Sequence, residues 1–396
     1  MSSLMQLRKE LIMGIRVALV LGDGSAPEMM RQACRVVQAG AVRAGTSIEF
    51  VETPMGWNAH NLYGDTLPAQ SLRRATEIGT LFFGGVGDPL LDNTIGKVHP
   101  DMKPEAKALL TIRKEWSLLL NLRPIIYYPE LAALTRLRPD LIPPEGIEQI
   151  FVRFLLEDSY FGTSDLIVYI PSDVRKRIGL KLKSEVLGTE PMLSELSYYN
   201  GETVRQYFDA IFQLARQKNL PVICIDKSNI MPRYVYWRQI ATEVGAKNPD
   251  VELRFQLVDS ANALLFEPRA LHGVIACGNE HGDILSDGAA AAMGSLGMMC
   301  SSAINPITGQ AMFESGAGTA PTLAGTDRAN PIGRILTGAL MLRHLGLEQG
   351  ATAIEKSVRA VLASGVRTGD IIVPGAEQTI VGTTAMAERI LAQMSS

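Results

Sequence analysis

The sequence has no apolar run long enough to span a membrane. It has no surplus of positive charge either. The formal net charge is −3, which removes the electrostatic case for nucleic acid or an anionic membrane surface as a partner. Its four cysteines, Cys34, Cys224, Cys277 and Cys300, stand far apart with no CxxC pair. That excludes a zinc or disulfide framework and points to a reducing, cytoplasmic setting. Internal repeats and low-complexity tracts are missing. The opening MSSLMQLRKELIMG lacks the long apolar segment and small-residue cleavage site of a secretory signal. A strand beginning just after Met13 would make residues 1–12 an extension, either disordered or arising from an upstream translation start.

What is present is an ordinary globular balance, 46% hydrophobic and 20% charged over 396 residues. The length suits two lobes, each with its own core. IRVALVL (15–21) is a continuous, β-branched-rich run closed by GDG, the pattern of a buried parallel strand. Pro27-Glu28 then opens a helical stretch, with proline in its first turn. IEFVET (48–53), TLFFGG (80–85), PVICID (221–226), LRFQLVD (253–259) and GVIACGN (273–279) repeat the strand pattern, most of them ahead of a helical one. The alternation predicts an α/β fold with a mostly parallel, helix-covered sheet. Ligands collect at the C-terminal ends of such strands. Those ends carry GDG (22–24), GGVGDP (84–89), Asp226-Lys227, Asp259 and Asn279. Residues 163–200 differ: SDLIVYI and Tyr198-Tyr199 read as short strands flanking the basic stretch RKRIGLKLK (175–183), which in itself reads as a solvated turn.

Four stretches carry side chains with chemistry. In GDILSDGAA (282–290), Asp283 and Asp287 share one face of a helix and repel unless a cation or a cationic side chain sits between them. A hard divalent ion uses such oxygen ligands. An N-cap aspartate beside a solvated one is the plainer alternative. Arg113, Arg123 and Arg153 border apolar segments and suit bidentate recognition of carboxylate or phosphate, or else surface ion pairing. Lys227, beside Asp226 and Asn229, is a candidate proton-transfer group, and Tyr160 a candidate proton donor. Finally, FESGAGTAPTLAG (313–325) offers bare backbone amides and a single charge, Glu314.

In their order along the chain, GDG with Pro27-Glu28, TIRK…NLRP, VR…YFG, DKSN, VD, GNEHGDILSD, GTAP..AG and ANP resemble the isocitrate/isopropylmalate dehydrogenase family. These are metal-dependent β-decarboxylating dehydrogenases. The likeness runs from about Gly14 to RTGD and the TTAMAERI helix. It implies oxidation of a malate unit at C2 by a nicotinamide, then loss of the C3 carboxylate with Mg²⁺ or Mn²⁺ as Lewis acid. By this resemblance Asp259, Asp283 and Asp287 are metal ligands, and Arg113, Arg123 and Arg153 clamp the malate carboxylates. Lys227 assists removal of the hydroxyl proton and Tyr160 protonates the enolate carbon. Asn229, Glu314, Gly318, Thr319, Ala320, Thr322 and Asn330 serve the cofactor.

The resemblance also implies a fold other than the GxGxxG dinucleotide fold, whose fingerprint is absent after the first strand. A cofactor-side domain comes from both chain ends (1–118 plus 296–396), and a substrate, metal and dimerisation domain from the middle (119–295). A clasp-like arm spans about 163–200. The enzyme is expected to be a homodimer in which Lys227 and Asp259 reach into the partner's site. Leu109 and Leu110 resemble the paired leucines that receive an alkyl group in isopropylmalate enzymes; ordinary helix core is their other reading. The chain departs from the family at two cofactor positions. Ala317 stands where family dehydrogenases have histidine, and Thr322 where NAD users have an acid and NADP users lysine. Arg328, downstream, is a candidate partner for a 2′-phosphate, with no position assigned by the sequence. Beside an NAD- or NADP-dependent dehydrogenase, two other readings stay open: a non-redox metal-dependent decarboxylase or lyase, and a non-catalytic regulatory homologue.

Overall fold

The computed structural model describes residues 14–142, 146–161, 163–167, 192–294, 296–316 and 318–395. Residues 1–12, the basic stretch 175–183 and Ala317 lie outside these described residues. A ten-stranded sheet organises the chain. In chain order the strands of this sheet and of a separate two-stranded ribbon are β1 (Ile15–Val20), β2 (Ile48–Glu52), β3 (Thr80–Phe83), β4 (Leu120–Ile126), β5 (Glu148–Phe154), β6 (Thr163–Ile167), β7 (Met192–Leu196), β8 (Val222–Asp226), β9 (Leu253–Leu257), β10 (Gly273–Cys277), β11 (Ser302–Ile304) and β12 (Ala311–Glu314), with β6 and β7 forming the ribbon. The sheet runs β2-β1-β3-β12-β11-β4-β5-β10-β8-β9. One half therefore uses strands from near both ends of the chain, and the other uses strands from its middle.

Both outer parts of the sheet are parallel, β2-β1-β3-β12 on one side and β5-β10-β8-β9 on the other. The junction β12-β11-β4-β5 is antiparallel. Strands covered on both faces need no polar side, which is why β8 and β10 are buried at every residue. The run expected as a strand over 253–259 ends at Leu257, because Val258 and Asp259 open a helix. Tyr198 and Tyr199 are not a strand. They lead from β7 to the next helix, and Tyr199 packs edge-on against Phe154. β6 and β7 pair antiparallel as a separate ribbon, from Thr163↔Leu196 to Ile167↔Met192.

The main helices are α1 (Ala26–Arg43), α2 (Leu110–Glu115), α3 (Gly201–Lys218), α4 (Pro232–Ala246), α5 (Val258–Leu264), α6 (Asn279–Ala292), α7 (Ile332–His344), α8 (Glu348–Ala363) and α9 (Thr383–Ser395). Pro27 sits in the first turn of α1, where its missing N–H costs nothing. Asn200 caps α3 by accepting from the backbone N–H groups of Glu202 and Thr203. Helices α1, α7, α8 and α9 enclose one apolar core against β1. Helices α3 and α4 cover β5, β8 and β10 with Tyr207, Phe208 and Trp237. Helix α6 lies on the opposite face, with Leu285 and Ala289 in a core shared with Phe151 and Ile275. No described helix is long and apolar enough to cross a membrane.

The GDG turn after β1 is a staple. The buried Asp23 carboxylate accepts from the backbone N–H of Trp57 at 2.9 Å, Asn58 at 2.8 Å and Gly87 at 2.8 Å. Gly22 has φ +83°, and a Cβ there would lie 2.0 Å from the Gly85 carbonyl oxygen. Loops after β1, β2 and β3 are thus drawn together at the ligand-facing end of the sheet. Across the junction, α6 approaches β5 at Gly282, where a Cβ would lie 2.9 Å from Cβ of Arg153. Alanine inside a helix ordinarily gains about 1 kcal/mol over glycine, whereas overpacking costs about 1–3 kcal/mol. Gly282→Ala is expected to lower stability by up to about 2 kcal/mol, the overpacking cost less the helix gain, read as a lower urea midpoint. A rise in the midpoint would show that α6 can lift off β5 freely.

Candidate active site

The arginines read from the sequence meet at the junction of the sheet. Arg123 on β4 and Arg153 on β5 flank the antiparallel pairing in which Asn121 faces Arg153, and Arg113 comes from α2. All three are more than nine-tenths buried. Each has a carboxylate partner. Arg113 Nη2 lies 3.5 Å from Glu314 Oε2. Arg123 reaches Asp283 through Nη2 and Asp287 through Nη1, each at 2.9 Å. Arg153 pairs with Asp283 Oδ1. The cation required between Asp283 and Asp287 is therefore Arg123 itself. Tyr160 donates its hydroxyl to Asp283 Oδ2 at 2.8 Å, and the Arg153 guanidinium stands 4.8 Å from the centre of its ring.

A second row fixes these groups. Arg123 Nε donates to Asn121 Oδ1 at 2.9 Å and Nη1 to Ser286 Oγ at 2.8 Å. Arg153 Nε donates to Asn279 Oδ1 at 2.7 Å. Asn279 is held in turn by the carbonyls of Leu155 at 3.1 Å and Glu157 at 3.0 Å. Of these supporting residues, Asn279 was read from the sequence as a strand-end residue, whereas Asn121 and Ser286 were not singled out. Asn121 was legible: it stands two before Arg123, so on a strand the two share a face.

Electrostatics follow from burial. Desolvation pulls the Arg113 and Arg153 guanidiniums below their ordinary range, opposed by Glu314 and Asp283 respectively. Burial pushes Asp283 up, but Arg153 and Arg123 overrule it and hold the carboxyl below its usual range. Asp287 and Glu314 are raised, chiefly by burial. Tyr160 is also raised, first by burial and then by its bond to Asp283, so it keeps its proton at neutral pH.

The arginines, Asp283 and Tyr160 line one cavity of about 620 Å³. Leu109 and Leu110 form part of its wall, as do Glu105 and Asp92. Burial, and then the charge of Asp92, raise Glu105. The backbone over Glu105–Leu109 is a π-helical turn leading into α2. Glu314, Gly318 and Thr319 also line the cavity. Beyond Gly318 a second cavity, of about 880 Å³, is lined by Gly318, Ala320, Arg328 and Asn330. Thr322 is exposed and lies outside the lining of both.

Lys227, Asp259 and Asn229 are placed elsewhere. Lys227 Nζ lies 2.6 Å from Asp259 Oδ1, Asn229 is exposed on the same turn, and none of the three lines the arginine cavity. Among the described residues no group of three or more histidine, cysteine, aspartate or glutamate side chains could hold a metal ion. Asp283 and Asp287 suit a hard cation by donor chemistry; Asp283 lines the cavity, and Asp287 joins it through Arg123.

The family model for isocitrate/isopropylmalate dehydrogenase matches residues 16–390. A 3-isopropylmalate dehydrogenase of Oleidesulfovibrio alaskensis is 37% identical over 380 residues, 96% of this chain and 99% of its own. One from Cupriavidus pinatubonensis is 34% identical over 381 residues, 96% and 100% of the two chains. The crystal structure of isocitrate dehydrogenase from Methylococcus capsulatus superposes with a TM-score of 0.78 at 25% identity, covering 96% of this chain and 99% of that one. For an apo β-decarboxylating dehydrogenase from Thermococcus kodakarensis the TM-score is 0.72 at 26% identity, covering 96% of each. The chain belongs to the isocitrate/isopropylmalate dehydrogenase family and is an enzyme of its β-decarboxylating dehydrogenase type.

Asp283 neutralises two buried guanidiniums and accepts from Tyr160. Asp283→Asn, in the absence of divalent cation, is expected to lose about 1.5–3 kcal/mol, the range for hydrogen bonds to charged groups. Urea unfolding at neutral pH measures it, and an unchanged midpoint would mean that the arginines need no carboxylate.

Proposed function

We propose that the protein oxidatively decarboxylates a 3-substituted malate bearing an uncharged, largely apolar C3 group, with a nicotinamide dinucleotide and Mg²⁺ or Mn²⁺. The observation that carries this reading is the convergence of Arg113, Arg123 and Arg153 on one cavity with Asp283 and the protonated Tyr160. Three buried forked donors match a dicarboxylate. The remaining wall has Leu109 and Leu110, with the acids Asp92 and Glu105. That wall suits an alkyl substituent and disfavours a third carboxylate, in keeping with relatives named 3-isopropylmalate dehydrogenase.

In this reading Arg113, Arg123 and Arg153 orient the malate carboxylates and fix which face of C2 and C3 is presented. Asp283 and Asp287 hold the cation, with Asp259 supplied by a second copy. Bound cation and nicotinamide supply Lewis-acid polarisation and a hydride acceptor, respectively. Lys227, also from the second copy, takes up the hydroxyl proton, and Tyr160 delivers its proton to the carbon that has lost CO₂. Glu314, Gly318 and Thr319 flank the nicotinamide end of the cofactor; Ala320 and Asn330 flank the adenosine end. Thr322, outside both linings, makes no contact in this reading, and Asn229 approaches from the second copy with Lys227. Arg328, in the adenosine-side wall, suits a 2′-phosphate, so NADP is to be tested beside NAD. The chain-end and chain-middle halves of the sheet correspond to the cofactor-side and substrate-side domains, and the β6–β7 ribbon to the clasp of a homodimer.

Turnover is expected for a 3-alkylmalate, with Mn²⁺ and one of NAD⁺ or NADP⁺, in an assay of nicotinamide absorbance against 3-alkylmalates, D-malate, tartrate and isocitrate. CO₂ release from a β-keto acid without nicotinamide binding would replace the redox reading with a simple decarboxylase. Lys227→Ala and Asp283→Asn should each abolish activity. Mixing the two inactive variants after subunit exchange is expected to restore roughly a quarter of wild-type activity, since half of the dimers would be hybrids with one intact site in two. No recovery, with hybrids demonstrably formed, would place Lys227 in its own subunit's chemistry.

A further inference from the structure

Arg334 sits in the first turn of α7 and is 1% exposed. Its position is unfavourable three times over. A cation opposes the positive end of a helix dipole. Burial in a low-dielectric interior is costly for an ion without a partner. Among the described residues no carboxylate lies within ion-pair distance of it. Its contacts are the Gly84 carbonyl, 2.9 Å from Nη2, and the Met29 sulfur, 3.6 Å from Nη1. Nε has no hydrogen-bond partner. Burial pulls the group down to about 10, with Glu314 opposing from a distance, so it remains charged at neutral pH.

Its two arms end at different cavities. Met29 lines the adenosine-side cavity. On the other arm, Nη2 lies 3.3 Å from where a Cβ of Gly85 would stand. Gly85 has φ +78°, no side chain, and a place in the wall of the arginine cavity. The two cavities meet at Gly318, which lines both. A two-headed ligand filling both must pass its connecting group over this seam.

We propose that Arg334 is a buried charge anchor for the diphosphate of an adenine dinucleotide, an affinity-determining residue set beneath the seam between the two cavities. This rests on the nicotinamide-dependent reading above. An anion over bare glycine backbone balances the unpartnered guanidinium in a medium where charge attraction is strong. The chain then grips its cofactor by the part common to NAD and NADP, and depends less on the ribose position at Thr322.

Calorimetric titration of the full-length protein with ADP and with adenosine tests it. Wild type should bind ADP more tightly than adenosine. Arg334→Met should weaken ADP about tenfold and leave adenosine within about twofold. Its melting temperature should hold or rise, because an unpaired buried charge has been removed. Arg334→Gln, which keeps a donor for the Gly84 carbonyl, serves if the methionine variant fails to fold and should show the same selective loss. Arg334→Lys should retain the ADP preference. Parallel loss of ADP and adenosine, or no loss of ADP in either neutral variant, would overturn the anchor alone. Wild-type protein that binds neither ADP nor NAD⁺ nor NADP⁺ would overturn the dinucleotide reading and the anchor with it.

Discussion

Arg123 lies between Asp283 and Asp287, and most of the site's geometry follows from that contact. The arginine comes from a strand and the acids from a helix, so the ion pairs lock α6 across the antiparallel junction of the sheet. Arg153, one strand over, doubles the lock at Asp283. Three guanidiniums buried this deeply cannot stand without compensation. Glu314 completes the balance by facing Arg113 from β12, so both halves of the sheet contribute to one charge-neutral cluster.

The neutrality has a functional edge. The carboxylates suited to a divalent cation are the same groups that neutralise the arginines suited to a dicarboxylate. Under the proposed function, drawing Asp283 and Asp287 toward a cation frees donors on Arg123 and Arg153, and the substrate's carboxylates then restore their balance. Either partner alone leaves buried charge unmatched, so cation and substrate binding favour one another. The hydrogen bonds from Asn121, Ser286 and Asn279 keep the guanidiniums aimed through such an exchange. Tyr160 is positioned by the same Asp283, which ties its hydroxyl to the state of the carboxylate network.

Much of this was legible because the signals were local. Continuous apolar runs in β1, β8 and β10 need both faces covered, and that alone implies a helix-covered parallel sheet. Asp283 and Asp287, four apart on a helix, posed the question of what cation separates them. What the sequence could not display was long-range pairing. β11 has three residues and no alternation to announce it, yet it joins the two halves of the sheet. Likewise, nothing local to Lys227 tells that it pairs with Asp259 while standing apart from the arginine cavity in one chain. The π-helical turn at Glu105 is a matter of one backbone residue, below what periodicity resolves.

The glycine-rich loop 313–325 shows where local reading was weakest. Its bare amides suit a ligand, but side chains within the loop are a poor guide to how tightly one is held. Glu314 turns toward Arg113 and belongs to the substrate-side cavity, and Thr322 is exposed outside both. The charge beneath the loop arrives from α7, twenty residues after Glu314, through a side chain that reads in isolation as an ordinary helix arginine. A cation in the first turn of a buried helix conflicts with dipole, desolvation and pairing at once. Where local rules fail together in an otherwise consistent fold, a ligand is the natural source of the missing compensation. By that argument, and under the proposed nicotinamide-dependent function, how tightly the cofactor is held is governed from under the loop rather than from within it.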